Sequence, residues 1–197
     1  MRKFIVVFSL VVMMGLNAVA QKSEIGFVVG AKITPDGTSA FGTTKVNNAF
    51  PFQVNYATQL IPLGAGALEL NIPLLAVPTT EIQSSTLFTA KSYSSLYFTP
   101  GLRLRLGTTF TPYIEAGVGF ARYGPNSTTL GGFPSGARSS TKAAFDVGGG
   151  LDFRPKKSPI GFRFSATEFY SGVPDLGIPK LNMHNNVLLA GGIVVRF

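Results

Sequence analysis

The sequence predicts an all-β protein, an eight-stranded antiparallel up-and-down transmembrane β-barrel, and three observations carry that prediction. Apolar and polar residues alternate with period two through eight separate segments, and no stretch reads as an amphipathic helix. The connections alternate long and short without exception: loops of 14 to 17 residues at 34–48, 78–91, 124–140 and 170–185 alternate with six-residue turns at 61–66, 107–112 and 154–159. That asymmetry of loops and turns is the one expected of a membrane-spanning barrel. The last twelve residues, Asn186 to Phe197, form a strand pattern that closes on an aromatic residue instead of a turn.

The first twenty residues read as a processing segment. Arg2 and Lys3 precede an apolar run from Phe4 to Met14, broken only by Ser9, and Ala18-Val19-Ala20 fits a small-x-small cleavage site before Gln21. The run is too short to span a bilayer, which needs about 20 residues. The expected organisation is therefore a signal peptide at 1–20 and a barrel at 21–197, exported from the cytoplasm. Cysteine is absent, which excludes a disulfide framework, thiolate metal sites, a cysteine nucleophile and a lipidated cysteine. The 17 basic and 9 acidic residues leave a net charge of +6 once Arg2 and Lys3 are removed. The basic residues are scattered, with Lys156-Lys157 the only adjacent pair beyond residue 20, so nucleic acid is not an expected partner.

Taken in order, the first strand sets Ile25, Phe27, Val29, Ala31 and Ile33 against Glu24, Gly26, Val28, Gly30 and Lys32. The second, Ala49 to Leu60, puts Phe50, Phe52, Val54 and Tyr56 on one face. The third, Ala67 to Val77, alternates Leu68, Leu70, Ile72, Leu74 and Ala76 with Glu69 and Asn71. In the fourth, Ser92 to Leu106, Leu96, Phe98, Leu102, Leu104 and Leu106 oppose Tyr97, Thr99, Arg103 and Arg105. The fifth places Ile114, Ala116, Val118 and Phe120 opposite Glu115, Gly117 and Gly119. The sixth, Thr141 to Phe153, sets Phe145, Val147 and Leu151 against Lys142, Asp146 and Asp152. The seventh, Ile160 to Phe169, sets Phe162 and Phe164 against Arg163 and Thr167. In the eighth, Val187, Leu189, Gly191, Ile193, Val195 and Phe197 share one face and Arg196 lies on the other. Pro73 and Pro100 fall inside strands three and four, where each removes a ladder hydrogen bond and marks a bulge or an unpaired spot.

A soluble barrel would use the same alternation with the faces exchanged, so period alone does not choose between them. The opposite face is rich in glycine (Gly117, Gly119, Gly148, Gly150, Gly192), which suits a narrow lumen, and aromatics gather at strand ends (Phe50, Phe120, Phe153, Phe162) as interfacial girdles do. An arginine of strand four turned toward lipid would cost roughly 2–4 kcal/mol near the midplane. The expected solution is an ion-pair network inside the lumen built from Glu69, Arg103, Arg105, Glu115, Asp146, Asp152, Arg163 and Arg196, with Glu24, Lys32 and Lys142 within reach of it. Eight strands enclose a bore that side chains can fill, so the lumen is expected to be closed.

The closing strand, the terminal V-V-R-F and the eight-strand architecture resemble the small outer-membrane β-barrel family, similar to the membrane domain of outer-membrane protein A without its periplasmic domain. The resemblance implies residence in the outer membrane of a Gram-negative bacterium, with both termini on the periplasmic side. It implies that Ile193, Val195 and Phe197 act as a C-terminal signal for the barrel-assembly machinery. Outer-membrane lipids and lipopolysaccharide are the implied partners. Arg122, on the lipid-facing parity near the outer rim, is a candidate lipopolysaccharide contact. A monomer is expected.

No catalytic, cofactor or metal site is expected. His184, the only histidine, lies in the last long loop near Ser171 and Asp175, a set that a lipid-modifying hydrolase could use, but the spacing is not diagnostic. Asp146-Val147-Gly148-Gly149-Gly150-Leu151-Asp152 lacks the lysine of a phosphate-binding loop, and small lumen-facing residues account for its glycines. The leading reading is a non-enzymatic barrel of structural or surface-interaction type. The alternatives are a lipid-modifying enzyme and a small-solute or hydrophobic-compound channel of porin-like type.

Overall fold

Eight staves close into one ring in the computed structural model, which describes residues 22–35, 37–39, 42–83, 92–126, 129–130, 133–134, 137–155, 158–173, 175 and 185–197. The staves are β1 (Ser23–Ile33), β2 (Phe52–Leu63), β3 (Gly66–Gln83), β4 (Ser92–Phe98 continued by Gly101–Leu106), β5 (Phe110–Pro125), β6 (Ser140–Phe153), β7 (Ile160–Ser171) and β8 (Asn185–Arg196). Every stave pairs antiparallel with its sequence neighbour, and β8 pairs with β1 to close the ring. At the seam Ser23 and Phe197 exchange backbone hydrogen bonds of 3.0 and 2.9 Å. Residues 1–20, expected to be a processing segment, and His184 lie outside the described residues.

Paired positions can be followed once around the ring. Lys32, Leu188, Thr167, Gly148, Glu115, Arg103, Glu69 and Gln59 lead back to β1 at Lys22, ten residues from the start. A stagger of that size over eight strands tilts each of them by about 40° from the barrel axis. Diameter and tilt are thus fixed by strand number and register together.

The alternation read from the sequence decides which side each residue takes. Phe27, Val29, Leu102, Ile114, Val118, Phe145, Phe164, Leu189 and Ile193 all stand outside, and Val118 is 70% exposed. Inside, buried polar and charged residues outnumber buried apolar ones. In water each exposed large apolar side chain would forgo roughly 1.5–3 kcal/mol of burial. Only an apolar solvent around the ring makes this arrangement stable.

Two turns are tighter than the sequence suggests. The β2–β3 connection is Gly64-Ala65 and the β4–β5 connection is 107–109, because ladder pairing continues past the point where apolar alternation stops. Gly64 (φ 59°) and Gly107 (φ 92°) take the left-handed conformations that such short turns require. The third turn, 154–159, is as long as expected. On the other end, β3 runs 18 residues to Gln83 and beyond its expected end at Val77. With the tilt above it rises about 45 Å against an apolar band of about 25 Å, so it stands well clear of the band.

The prolines act without shifting the register. Leu74 pairs with Phe98 and Asn71 with Gly101, so the interruption of β4 at Thr99-Pro100 leaves the ladder in phase on both flanks. The amide of Val118 still donates to the carbonyl of Pro100 at 3.1 Å. Register shifts occur elsewhere, between Gln59 and Ile61 and between Val77 and Thr80.

Candidate functional site

The lumen is divided into two layers, and the layer toward the short turns is ionic. Charges are placed there by register: Glu24 lies opposite Arg196, Asp152 opposite Arg163, and Glu115 and Glu69 on either side of Arg103. Arg103 donates from Nε and Nη2 to Glu115 Oε2 (3.0 and 2.8 Å), from Nη1 to Glu24 Oε1 (3.0 Å) and from Nη2 to Asn71 Oδ1 (2.9 Å). Arg163 forks onto Asp152, donating at 2.7 Å to each oxygen, and also reaches Glu24 Oε1. Arg105 pairs with Glu69 at 2.7 Å.

Glu24 is the hub. Its Oε1 takes Arg103 and Arg163, and its Oε2 takes Arg196 at 3.1 Å, Arg154 at 3.4 Å and Arg105 at 3.5 Å. The Tyr113 ring completes the layer, with the Arg103 guanidinium 4.5 Å and the Arg163 guanidinium 5.1 Å from its centroid. Gly150 makes room for that ring, since a Cβ there would meet the Tyr113 hydroxyl at 2.6 Å. Arg103 and Asp152 are completely buried, so their charges are stable only because each is paired and hydrogen-bonded.

The second layer, toward the long loops, is aromatic. Tyr93, Tyr97, Tyr123, Phe169, Leu188, Leu75 and Val77 form a buried cluster into which Val46 and Ala49 pack from the chain between β1 and β2. A hydrogen-bonded chain runs through it from Thr34 to Asn186, Tyr97, Tyr123 and Ser171. Lys32 is buried in this layer, with its ammonium 5.5 Å from the Tyr93 ring centroid and 5.9 Å from that of Tyr97.

The structure brings Glu69, Arg103, Arg105, Glu115, Asp152, Arg163 and Arg196 into one cluster, and leaves Asp146 out of it. Asp146 is buried in the lumen, but its paired neighbours are Gly117 and Phe169, neither of them charged, and among the described residues no arginine forms an ion pair with it. Its Oδ1 has no hydrogen-bond partner. The cause is height: Asp146 sits six residues along β6 from Asp152, above the reach of the guanidiniums. Lys32 likewise meets aromatic rings instead of carboxylates, and Lys142 is half-buried at the loop end with no ion pair among the described residues. Sequence reasoning counted Glu24 among the available carboxylates without giving it the central place, and missed Arg154 and Tyr113. Arg154 belongs to a turn, where alternation assigns no face; Tyr113 stands on the same inward parity as Glu115.

The remaining residues lie on the outer surface. Arg122 is exposed on β5, paired with Leu96 and Thr141. Glu168, also on the lipid-facing parity, accepts a hydrogen bond from Asn185 Nδ2 at 3.0 Å near the loop end of β7. Ile193 and Phe197 are exposed and Val195 half-buried along the outer face of β8.

No protein-family model and no curated protein matches the chain. Solved structures do resemble it. Neisserial surface protein A superposes with a TM-score of 0.59 at 14% identity, over 89% of this chain and 97% of that one. The N-terminal β-barrel domain of Pseudomonas aeruginosa OprF gives 0.50 at 13%, over 90% and 97%. Ail, the attachment invasion locus protein of Yersinia pestis, gives 0.50 at 18%, over 89% and 99%. At these identities the likeness is one of fold, the eight-stranded barrel of small outer-membrane proteins.

Proposed function

We propose, on the premise of an eight-stranded outer-membrane β-barrel fold, that this protein is a non-enzymatic integral barrel of the outer membrane. It contributes to envelope structure or surface interaction through the strands that rise above the apolar band and the long connections between them. The carrying observation is inverted polarity combined with a filled bore: large apolar side chains cover the outside while buried ion pairs and tyrosines occupy both layers of the lumen. A bore blocked by Arg103, Arg163, Tyr97 and Tyr123, each at most 2% exposed, supports a closed barrel over a channel for solutes or hydrophobic compounds.

In this reading residues 1–20 are a cleaved signal peptide and both ends of the barrel domain face the periplasm. Ile193, Val195 and Phe197 present the outward face of the closing strand to the barrel-assembly machinery, and the protein works as a monomer. Arg122, exposed where β5 passes the outer edge of the apolar band, contacts lipopolysaccharide phosphate. The test is fractionation followed by gel migration with and without boiling. A heat-dependent shift in the outer-membrane fraction, with no steady conductance in planar bilayers, is the expected result; soluble recovery, or single-channel steps, overturns the reading.

A further inference from the structure

At the turn end of the barrel the ion-pair network is unbalanced. Arg103, Arg105 and Arg163 each hold a carboxylate besides Glu24, whereas among the described residues Arg154 and Arg196 have only Glu24, and both take its Oε2, which Arg105 also shares. Arg154 is nine-tenths buried, and its Nε has no hydrogen-bond partner. Lys22 makes no ion pair among the described residues. These three cations line one concavity at the barrel mouth with Thr108 and Thr109, and among the described residues no aspartate or glutamate lines it. The carboxylates of this half of the barrel, Glu24, Glu69, Glu115 and Asp152, are all turned into the lumen and buried.

Such a mouth has surplus positive charge, guanidiniums held by Glu24, and threonine side chains beside them. A tetrahedral phosphate suits these donors, because two guanidiniums and an ammonium can each take a different oxygen by charge-assisted hydrogen bonds. We propose that the turn-end mouth binds an anionic phosphate group through Lys22, Arg154 and Arg196, assisted by Thr108 and Thr109. Its source is either the headgroup of an anionic phospholipid in the inner leaflet or a soluble phosphate. Phe197, two-thirds exposed in the wall of the same concavity, offers an acyl chain an apolar contact. The lipid source rests on the membrane orientation proposed above; phosphate binding itself does not.

The full chain, folded in a phosphate-free zwitterionic detergent, is compared with Lys22→Glu and with Lys45→Glu, an exposed lysine at the opposite end. Two probes are used: native mass spectrometry with phosphatidylglycerol against phosphatidylcholine, and line broadening of inorganic phosphate by phosphorus NMR. Gel migration without boiling checks that each variant is folded. The expected result is preferential retention of phosphatidylglycerol by about tenfold, weakened about fivefold by Lys22→Glu, as a partly screened charge contact implies, and unchanged by Lys45→Glu. Retention of the lipid identifies the headgroup; broadening of inorganic phosphate without lipid retention identifies a soluble phosphate, and either upholds the site. Binding of neither probe, or equal effects of the two substitutions, overturns it. If the protein fractionates as soluble yet still broadens phosphate, the site stands and the lipid source falls.

Discussion

Five arginines converge on one carboxylate at Glu24, and the consequence of losing it follows from the physics of buried charge. A Glu24→Gln substitution keeps the shape but removes the shared counter-charge, leaving Arg103 and Arg163 with one anion each and Arg154 and Arg196 with none. Breaking a buried pair in this way costs about 3–5 kcal/mol. The expected outcome is a lower urea midpoint for loss of the unboiled gel band in bilayers, whereas Glu168→Gln, at the rim and outside the network, changes the unfolding free energy by no more than about 0.5 kcal/mol. Gly150→Val is expected to be as harmful as the loss of the hub, because the added carbon atoms run into the Phe164 backbone carbonyl and push Tyr113 from between Arg103 and Arg163. Individual charges were legible as lumen residues from alternation alone. Their partners were not: Asp146 shares the parity of Asp152 and still stands apart, because parity specifies a side and says nothing of height around a staggered ring.

Among the elements, β5 and β4 offer the sharpest tests. Val118 stands fully outward in the middle of β5, so Val118→Arg places a charge in the apolar band and is expected to cost about 2–4 kcal/mol of unfolding free energy in bilayers. Ile160→Arg, at the turn-end edge of β7, is expected to cost at most about 1 kcal/mol in the same titration. In β4, the carbonyl of Pro100 faces Val118, and the N–H and C=O of one strand residue point the same way. Pro100→Ala therefore supplies a donor opposite the Val118 carbonyl. It is expected to add about 0.5–1.5 kcal/mol and to slow amide exchange at residues 99–101. The strands themselves were readable from the sequence to within a few residues. Their ends were not, because ladder hydrogen bonds extend β3 to Gln83 and tighten two turns irrespective of side-chain pattern.

For the molecule as a whole, the centre of the charged network, Glu24, Arg103, Glu115, Asp152 and Arg163, is buried inside the wall, and only Arg154 and Arg196 reach the turn-end mouth. Raising salt from 0.05 to 1 M is therefore expected to leave the temperature of the gel shift nearly unchanged, because buried pairs are screened far less than exposed ones. A fall of more than about 10 °C would place water and ions among the pairs. By itself the sequence determined the number of staves, the side each residue takes, the alternation of loops and turns, and the presence of charge in the bore. All four follow from a two-residue period and chain order, which are local. Only the tertiary structure decided that Glu24 is the hub, that Asp146 and Lys32 stand outside the network, that tyrosines fill the loop-end layer, and that Arg154 and Arg196 open onto a mouth short of anions. Those facts depend on a ten-residue stagger that brings together residues from opposite ends of the chain, and such a stagger is set by closure of the ring rather than by any one strand.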